Sequence, residues 1–189
     1  MPPKQKISLS MPPSFNTLAA PSPASPSWRG SHPGALSVAS SAQPPTEILP
    51  HLFIADLGAA ENPKVLIQLG ITHVLSAMCG RVLLPANMPL AQLQLPLQDS
   101  PFAELADYLP ASTLFLSDAL RDPKARVLVH CAQGISRSSS VVCAYLIAKY
   151  GWSPEQALRF VKSKYALADP NPGFVMQLGE YARSLERTR

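Results

Sequence analysis

An α/β fold is what this sequence of 189 residues predicts. Three observations carry that expectation. From Glu47 onward, short runs rich in β-branched and aliphatic residues alternate with stretches of helical spacing. Hydrophobic residues make up 47% of the chain, enough to bury a proper core in one domain. One run, Arg126-Val127-Leu128-Val129-His130, is apolar at every interior position, as an inner strand covered on both faces would be.

Residues 1–46 stand apart. They hold ten prolines and ten serines, with apolar residues in no sustained period, and read as a disordered Pro/Ser-rich tail. A mitochondrial presequence would share the lack of acids but would carry more than the single Arg29. Ser22-Pro23 and Ser25-Pro26 are possible sites of proline-directed phosphorylation. A domain follows over 47–189. Ile48 to Ala55 reads as the opening strand and Ala59 to Leu69 as a helix stopped by Gly70. Ile71–Ser76 is a strand by its β-branched content, and Leu93–Leu97 alternates apolar and polar like a half-buried strand. A helix is expected between Leu109 and Leu120, with Pro110 in its first turn, where a missing N–H does no harm. After the inner strand, helices are expected over Ser138–Tyr150, Pro154–Tyr165 and Gly173–Leu185; Ser153-Pro154-Glu155-Gln156 is a strong helix start.

Charge excludes several functions. The net charge is +4, but residues 1–46 contribute three bases and no acid, leaving 16 − 3 = 13 bases against 12 acids in the rest. A nearly neutral domain lacks the basic footprint of a nucleic-acid binder, so no nucleic-acid partner is expected. No run of eighteen apolar residues exists, so no membrane-spanning helix is expected. The three cysteines, at 79, 131 and 143, form no disulfide framework and no metal-binding pair, and no metal or other cofactor is expected.

The chemistry lies in His130-Cys131-Ala132-Gln133-Gly134-Ile135-Ser136-Arg137-Ser138. A buried strand ends at a cysteine, a short loop follows, and a helix begins at an arginine and a serine. A cysteine attacks only as the thiolate, and the unpaired N–H groups and dipole at a helix mouth stabilise an anion. The same N–H groups, with those of a loop wrapped into a cradle, bind a phosphate dianion. Ala132, Gln133, Gly134, Ile135 and Ser136 would supply that cradle, with Gly134 allowing its sharp turn. The guanidinium of Arg137 can hold two phosphate oxygens at once. Ser138 can donate to the sulfur and make it a better leaving group, and His130 can orient the loop through its ring nitrogens. By chance the joint pattern should arise at fewer than roughly one position in a million.

This loop resembles the phosphate-binding loop of cysteine-dependent protein tyrosine phosphatases, and most of all that of small atypical dual-specificity phosphatases. The resemblance extends over about residues 47–186: Glu47–Ala60 is similar to the family's opening strand, Gly70–Leu75 to its next strand, Leu95–Ser100 to its general-acid loop, and Asn171-Pro172-Gly173-Phe174 with Gln177-Leu178 to the start of its last helix. It implies a central, mostly parallel sheet flanked by helices, with the Cys-x5-Arg loop between strand and helix. It also implies a phosphoprotein substrate carrying phosphotyrosine, phosphoserine or phosphothreonine, a phosphocysteine intermediate on Cys131, and Asp99 as the proton donor, 32 residues before the cysteine. Asp107 is the rival acid. Asn171 would fix a loop beside the site. A monomer in the cytosol or nucleus is expected, since a reactive thiol needs a reducing compartment.

Ser76 stands where many relatives have asparagine. Ala132, Gln133 and Ile135 bring no lysine to the loop floor, which suits a phosphoprotein better than an inositol lipid. A phosphatase for an RNA 5′ end, lipid or sugar phosphate, and a non-catalytic phosphopeptide binder, remain alternative readings of the same loop. Cys79 could trap an oxidised Cys131 as a disulfide or be merely structural, and Cys143 reads as core.

Overall fold

The computed structural model describes residues 43–188. The stretch expected to be a disordered tail lies almost wholly outside them, as do Ser22 and Ser25; only its last residue, Thr46, already belongs to a strand. The described chain builds one five-stranded sheet: β1 Thr46–Leu49, β2 Leu52–Ala55, β3 His73–Ala77, β4 Ala91–Leu95 and β5 Val127–His130. Its order is β1-β2-β5-β3-β4, with β1 antiparallel to β2 and all other neighbours parallel.

The helices form two layers. On one face, α1 Leu57–Ala60 and α2 Pro63–Leu69 close a small core of Phe53, Leu66, Val74 and Leu128. On the other lie α3 Leu109–Ala119, α4 Arg137–Tyr150, α5 Pro154–Lys164 and α6 Pro172–Arg187, packed on Ile54, Leu75, Val127 and Val129. The central strand β5 thus sends Val127 and Val129 to one core and Leu128 to the other, and all four of its residues are buried. That is why it reads as a continuous apolar run. Helix α4 is buried from Ser138 through Ile147, sheltered by its neighbouring helices and the sheet. Among the described residues, no helix is long and apolar enough to cross a membrane.

Two expected elements are each divided in two. The opening strand is a hairpin, because Pro50 lacks an N–H and His51 turns the chain at φ 70° with its N–H bonded to Glu47 Oε1 at 2.8 Å. The first helix breaks at Asn62-Pro63: Asp56 caps α1 by accepting from the Ala59 N–H at 2.8 Å, and Asn62 caps α2 by accepting from the Lys64 N–H at 3.0 Å. β4 starts and stops two residues earlier than expected, since Pro96 cannot extend the ladder. A 3-10 turn over Ala106–Tyr108 leads into α3 and had no signal in the sequence. Gly70 ends α2 and Pro110 lies in the first turn of α3, as their places predict.

Register positions the site. Ala55 of β2 and Ser76 of β3 both stand opposite His130, so three strand ends meet at one edge of the sheet, and the loop at Cys131 leaves from its middle.

Candidate active site

Cys131 is 1% exposed and sits directly after β5. Its sulfur receives the Gly134 N–H at 3.2 Å and lies 3.4 Å from Ser138 Oγ on the first turn of α4. The loop between them folds back under the helix mouth. Gly134 makes this possible in two ways. Its φ is 74°, and a Cβ there would stand 2.8 Å from the Ala55 carbonyl oxygen at the end of β2. The loop is tied down further by the Leu57 N–H, which donates to the Ala132 carbonyl at 3.2 Å. Ala132 and Gln133 remain exposed at the open rim.

His130 is fully buried beneath the loop. Its Nδ1 faces the Cys131 carbonyl at 3.4 Å and its Nε2 lies 2.7 Å from Ser76 Oγ. A carbonyl only accepts, so Nδ1 carries the proton and Ser76 donates to Nε2. Burial, only partly countered by the bond to the Cys131 backbone, pushes the imidazole from 6.5 down to about 4, so it is neutral at physiological pH. Ser76, at the end of β3, thus supplies the hydrogen bond that fixes the ring from the other side.

Arg137 opens α4 with a guanidinium that is mostly buried. Nη1 donates to the Leu97 carbonyl at 3.4 Å, and Nε is 3.5 Å from Asp99 Oδ2. The second contact is an attraction between charges rather than a hydrogen bond, because Nε–H has no aligned acceptor. A buried Nε–H with no hydrogen-bond acceptor, on the residue before Ser138, is suited to an incoming oxyanion.

Asp99 hangs over the rim from the loop after β4. Oδ1 accepts from Ser136 Oγ at 2.7 Å and from Asn171 Nδ2 at 2.9 Å. Asn171 also donates its backbone N–H to Ser136 Oγ at 3.2 Å and caps α6 by accepting the Phe174 N–H at 3.0 Å. Three distant segments are thereby joined at one carboxylate. Asp169 closes the ring by donating its N–H to the Ile135 carbonyl at 3.0 Å.

All the expected site residues converge: Cys131, Arg137, Asp99, Ser138 and His130, with Ala132, Gln133, Gly134, Ile135, Ser136 and Asn171 around them. The rival acid Asp107 is exposed in the 3-10 turn and bonds to none of them. Cys143 is core, its thiol pushed up to about 12 by burial. Cys79 is exposed two residues past β3, and no disulfide joins it to Cys131 here. Sequence reasoning missed the Leu97 carbonyl, since a backbone acceptor leaves no mark in the sequence. It also missed the clamp on the segment after Asp99: Gln177 on α6 donates to the Ala103 carbonyl at 2.8 Å and accepts from the Ala106 N–H at 2.9 Å. Gly173 presses so closely on Pro101 that a Cβ would collide with its backbone. Among the described residues, no three His, Cys, Asp or Glu side chains converge to hold a metal. A cavity of about 580 Å³ lies elsewhere, between β4 and α3, and shares no lining residue with the loop.

Residues 52–184 match the family model described as the dual specificity phosphatase catalytic domain. Mouse dual specificity protein phosphatase 13B is 35% identical over 147 residues, covering 75% of this chain and 74% of its own length. Among solved structures, a mouse dual specificity phosphatase complexed with zinc tungstate matches with a TM-score of 0.72 and 32% identity, covering 82% of this chain and 96% of that one. Human DUSP28 matches with a TM-score of 0.69 and 31% identity, covering 76% and 95%. The chain belongs to the dual specificity phosphatase family.

Proposed function

We propose that this phosphatase hydrolyses phosphotyrosine and phosphoserine or phosphothreonine in proteins through a phosphocysteine. Cys131 attacks phosphorus in line as the thiolate. The bond to the leaving oxygen breaks, and Asp99 gives that oxygen its proton. Water then attacks the thiophosphate while Asp99 takes a proton back. The P–S bond breaks, and its electron pair leaves on the sulfur, which departs as the thiolate and accepts a hydrogen bond from the Ser138 hydroxyl. The loop amides and Arg137 hold the three equatorial oxygens through both steps, where positioning and charge stabilisation do most of the catalysis.

The single observation that carries this reading is the buried sulfur of Cys131, met by the Gly134 N–H and Ser138 Oγ at a helix mouth beside Arg137. Ala132, Gln133 and Ile135 leave the loop without a cation of its own apart from Arg137, which supports a phosphorylated side chain over a more anionic lipid head group. The similar mouse structure carries tungstate, a tetrahedral oxyanion, in keeping with a family that binds such groups. A monomer in the cytosol or nucleus, acting on phosphoproteins and on neither nucleic acid nor membrane, completes the proposal.

An aryl phosphate and two phosphopeptides, one on tyrosine and one on threonine, test it in the presence of a chelator. Wild type turns over all three. Cys131→Ser loses at least ~10³-fold in kcat while still retaining phosphopeptide on a pull-down. Undiminished turnover by Cys131→Ser overturns the mechanism; binding without turnover by wild type makes the chain a phosphopeptide binder.

A further inference from the structure

We infer that Phe102 is an apolar docking point for a substrate side chain next to the phosphorylated residue, so that this phosphatase prefers phosphopeptides carrying a large apolar residue within a few positions of the phosphate. The inference rests on the phosphoprotein reading above and deepens it.

Phe102 is 91% exposed, the most exposed of the large hydrophobic side chains among the described residues. A single exposed apolar residue is ordinary in itself. This one is distinguished by where it is and how it is held. It lies three residues after Asp99, at the tip of a turn in which the Ala103 N–H donates to the Ser100 carbonyl at 3.0 Å and the Phe102 N–H to Ser100 Oγ at 3.2 Å. Both of its neighbours are fixed: Pro101 is packed on Gly173, and the Ala103 carbonyl is held by Gln177. The aromatic ring is therefore presented on a rigid backbone beside the proton donor, and little ordering entropy is lost when a ligand meets it.

The neighbouring segments repeat the theme. Leu167 is 47% exposed two residues before Asp169, whose N–H is bonded to the phosphate loop. Met176 is 69% exposed one residue before the clamping Gln177. The charged groups of these rim segments point the other way from an acidic substrate. Asp99 and Asp169 are carboxylates, and Lys162 is already paired with Asp169 at 3.2 Å. The loop residues Ala132, Gln133 and Ile135 offer no charge to select a substrate. Apolar contact is the recognition chemistry this rim presents, and an aromatic side chain carries a large area for it.

The test uses the full chain and a set of singly phosphorylated peptides, on tyrosine and on threonine. In a Ser/Gly background, one Leu is moved through the three positions on either side of the phosphate, and Glu is moved likewise. For wild type, Leu at one or two positions raises kcat/KM about 10-fold, mainly through KM, and Glu does not. In Phe102→Ala the Leu-to-Ser ratio falls to about one, and in Phe102→Leu most of it returns. Equal rates on all peptides by wild type, or a preference that survives in Phe102→Ala, overturn the inference and leave the phosphatase reading standing. A wild-type chain inert towards aryl phosphate and peptides alike removes both.

Discussion

Asp99 shows how much one carboxylate can depend on partners far along the chain. Its Oδ1 is shared by Ser136 and Asn171, which lie 37 and 72 residues away in sequence, and Arg137 faces its Oδ2. If Asp99 supplies the proton to the leaving oxygen, its removal must hurt most where that oxygen is most basic. Asp99→Asn is expected to lower kcat by about 10²-fold or more on a phosphothreonine peptide and far less on an activated aryl phosphate. A series of aryl phosphates graded by leaving-group acidity measures this; equal losses across the series would assign the proton to another group. Cys131 and Arg137 were legible in the sequence as a pair because a strand, a loop and a helix put them within seven residues of each other. The hydrogen bonds that aim Asp99 were not, because they join segments that only the finished fold brings together.

The best-read elements were those with strong punctuation. Ser153-Pro154-Glu155-Gln156 predicts a helix start, and the structure completes it as a reciprocal pair: the Gln156 N–H donates to Ser153 Oγ at 3.2 Å, and the Ser153 N–H to Gln156 Oε1 at 2.9 Å. Ser153→Ala should therefore destabilise the protein by about 1 kcal/mol, read as a shift in denaturant midpoint at constant slope, with turnover of aryl phosphate preserved. A midpoint unmoved within error would show that burial of Ala157 and Val161 alone holds α5 in place. The elements misjudged were those in which a break carried no glycine. Pro50-His51 turns a hairpin with a left-handed histidine, an uncommon choice that composition does not announce. Asn62-Pro63 starts a second helix with a side-chain cap and a proline in its first turn, a break that a single helix expected over Ala59–Leu69 passes over.

At the scale of the whole molecule, His130 is a buried ionisable group among the described residues whose titration couples to folding. Unfolded, its imidazole titrates near 6.5; folded, near 4. Between those values the unfolded chain binds the extra proton, so stability falls as pH drops from about 6.5 towards 4, by about 3 kcal/mol in full, and is unaffected by this group above that window. Denaturant midpoints of wild type and His130→Gln at pH 7, 6 and 5 should diverge at the upper end and converge at the lower, whereas parallel profiles would mean that some other group sets the acid sensitivity. The contact between Pro101 and Gly173 has a different reach. Because the turn after Asp99 and the opening of the last helix are moulded to each other, neither is an independent cassette. A chimera that transplants one relative's version of that turn must carry the matching helix start with it, or the grafted carboxylate will arrive without its frame.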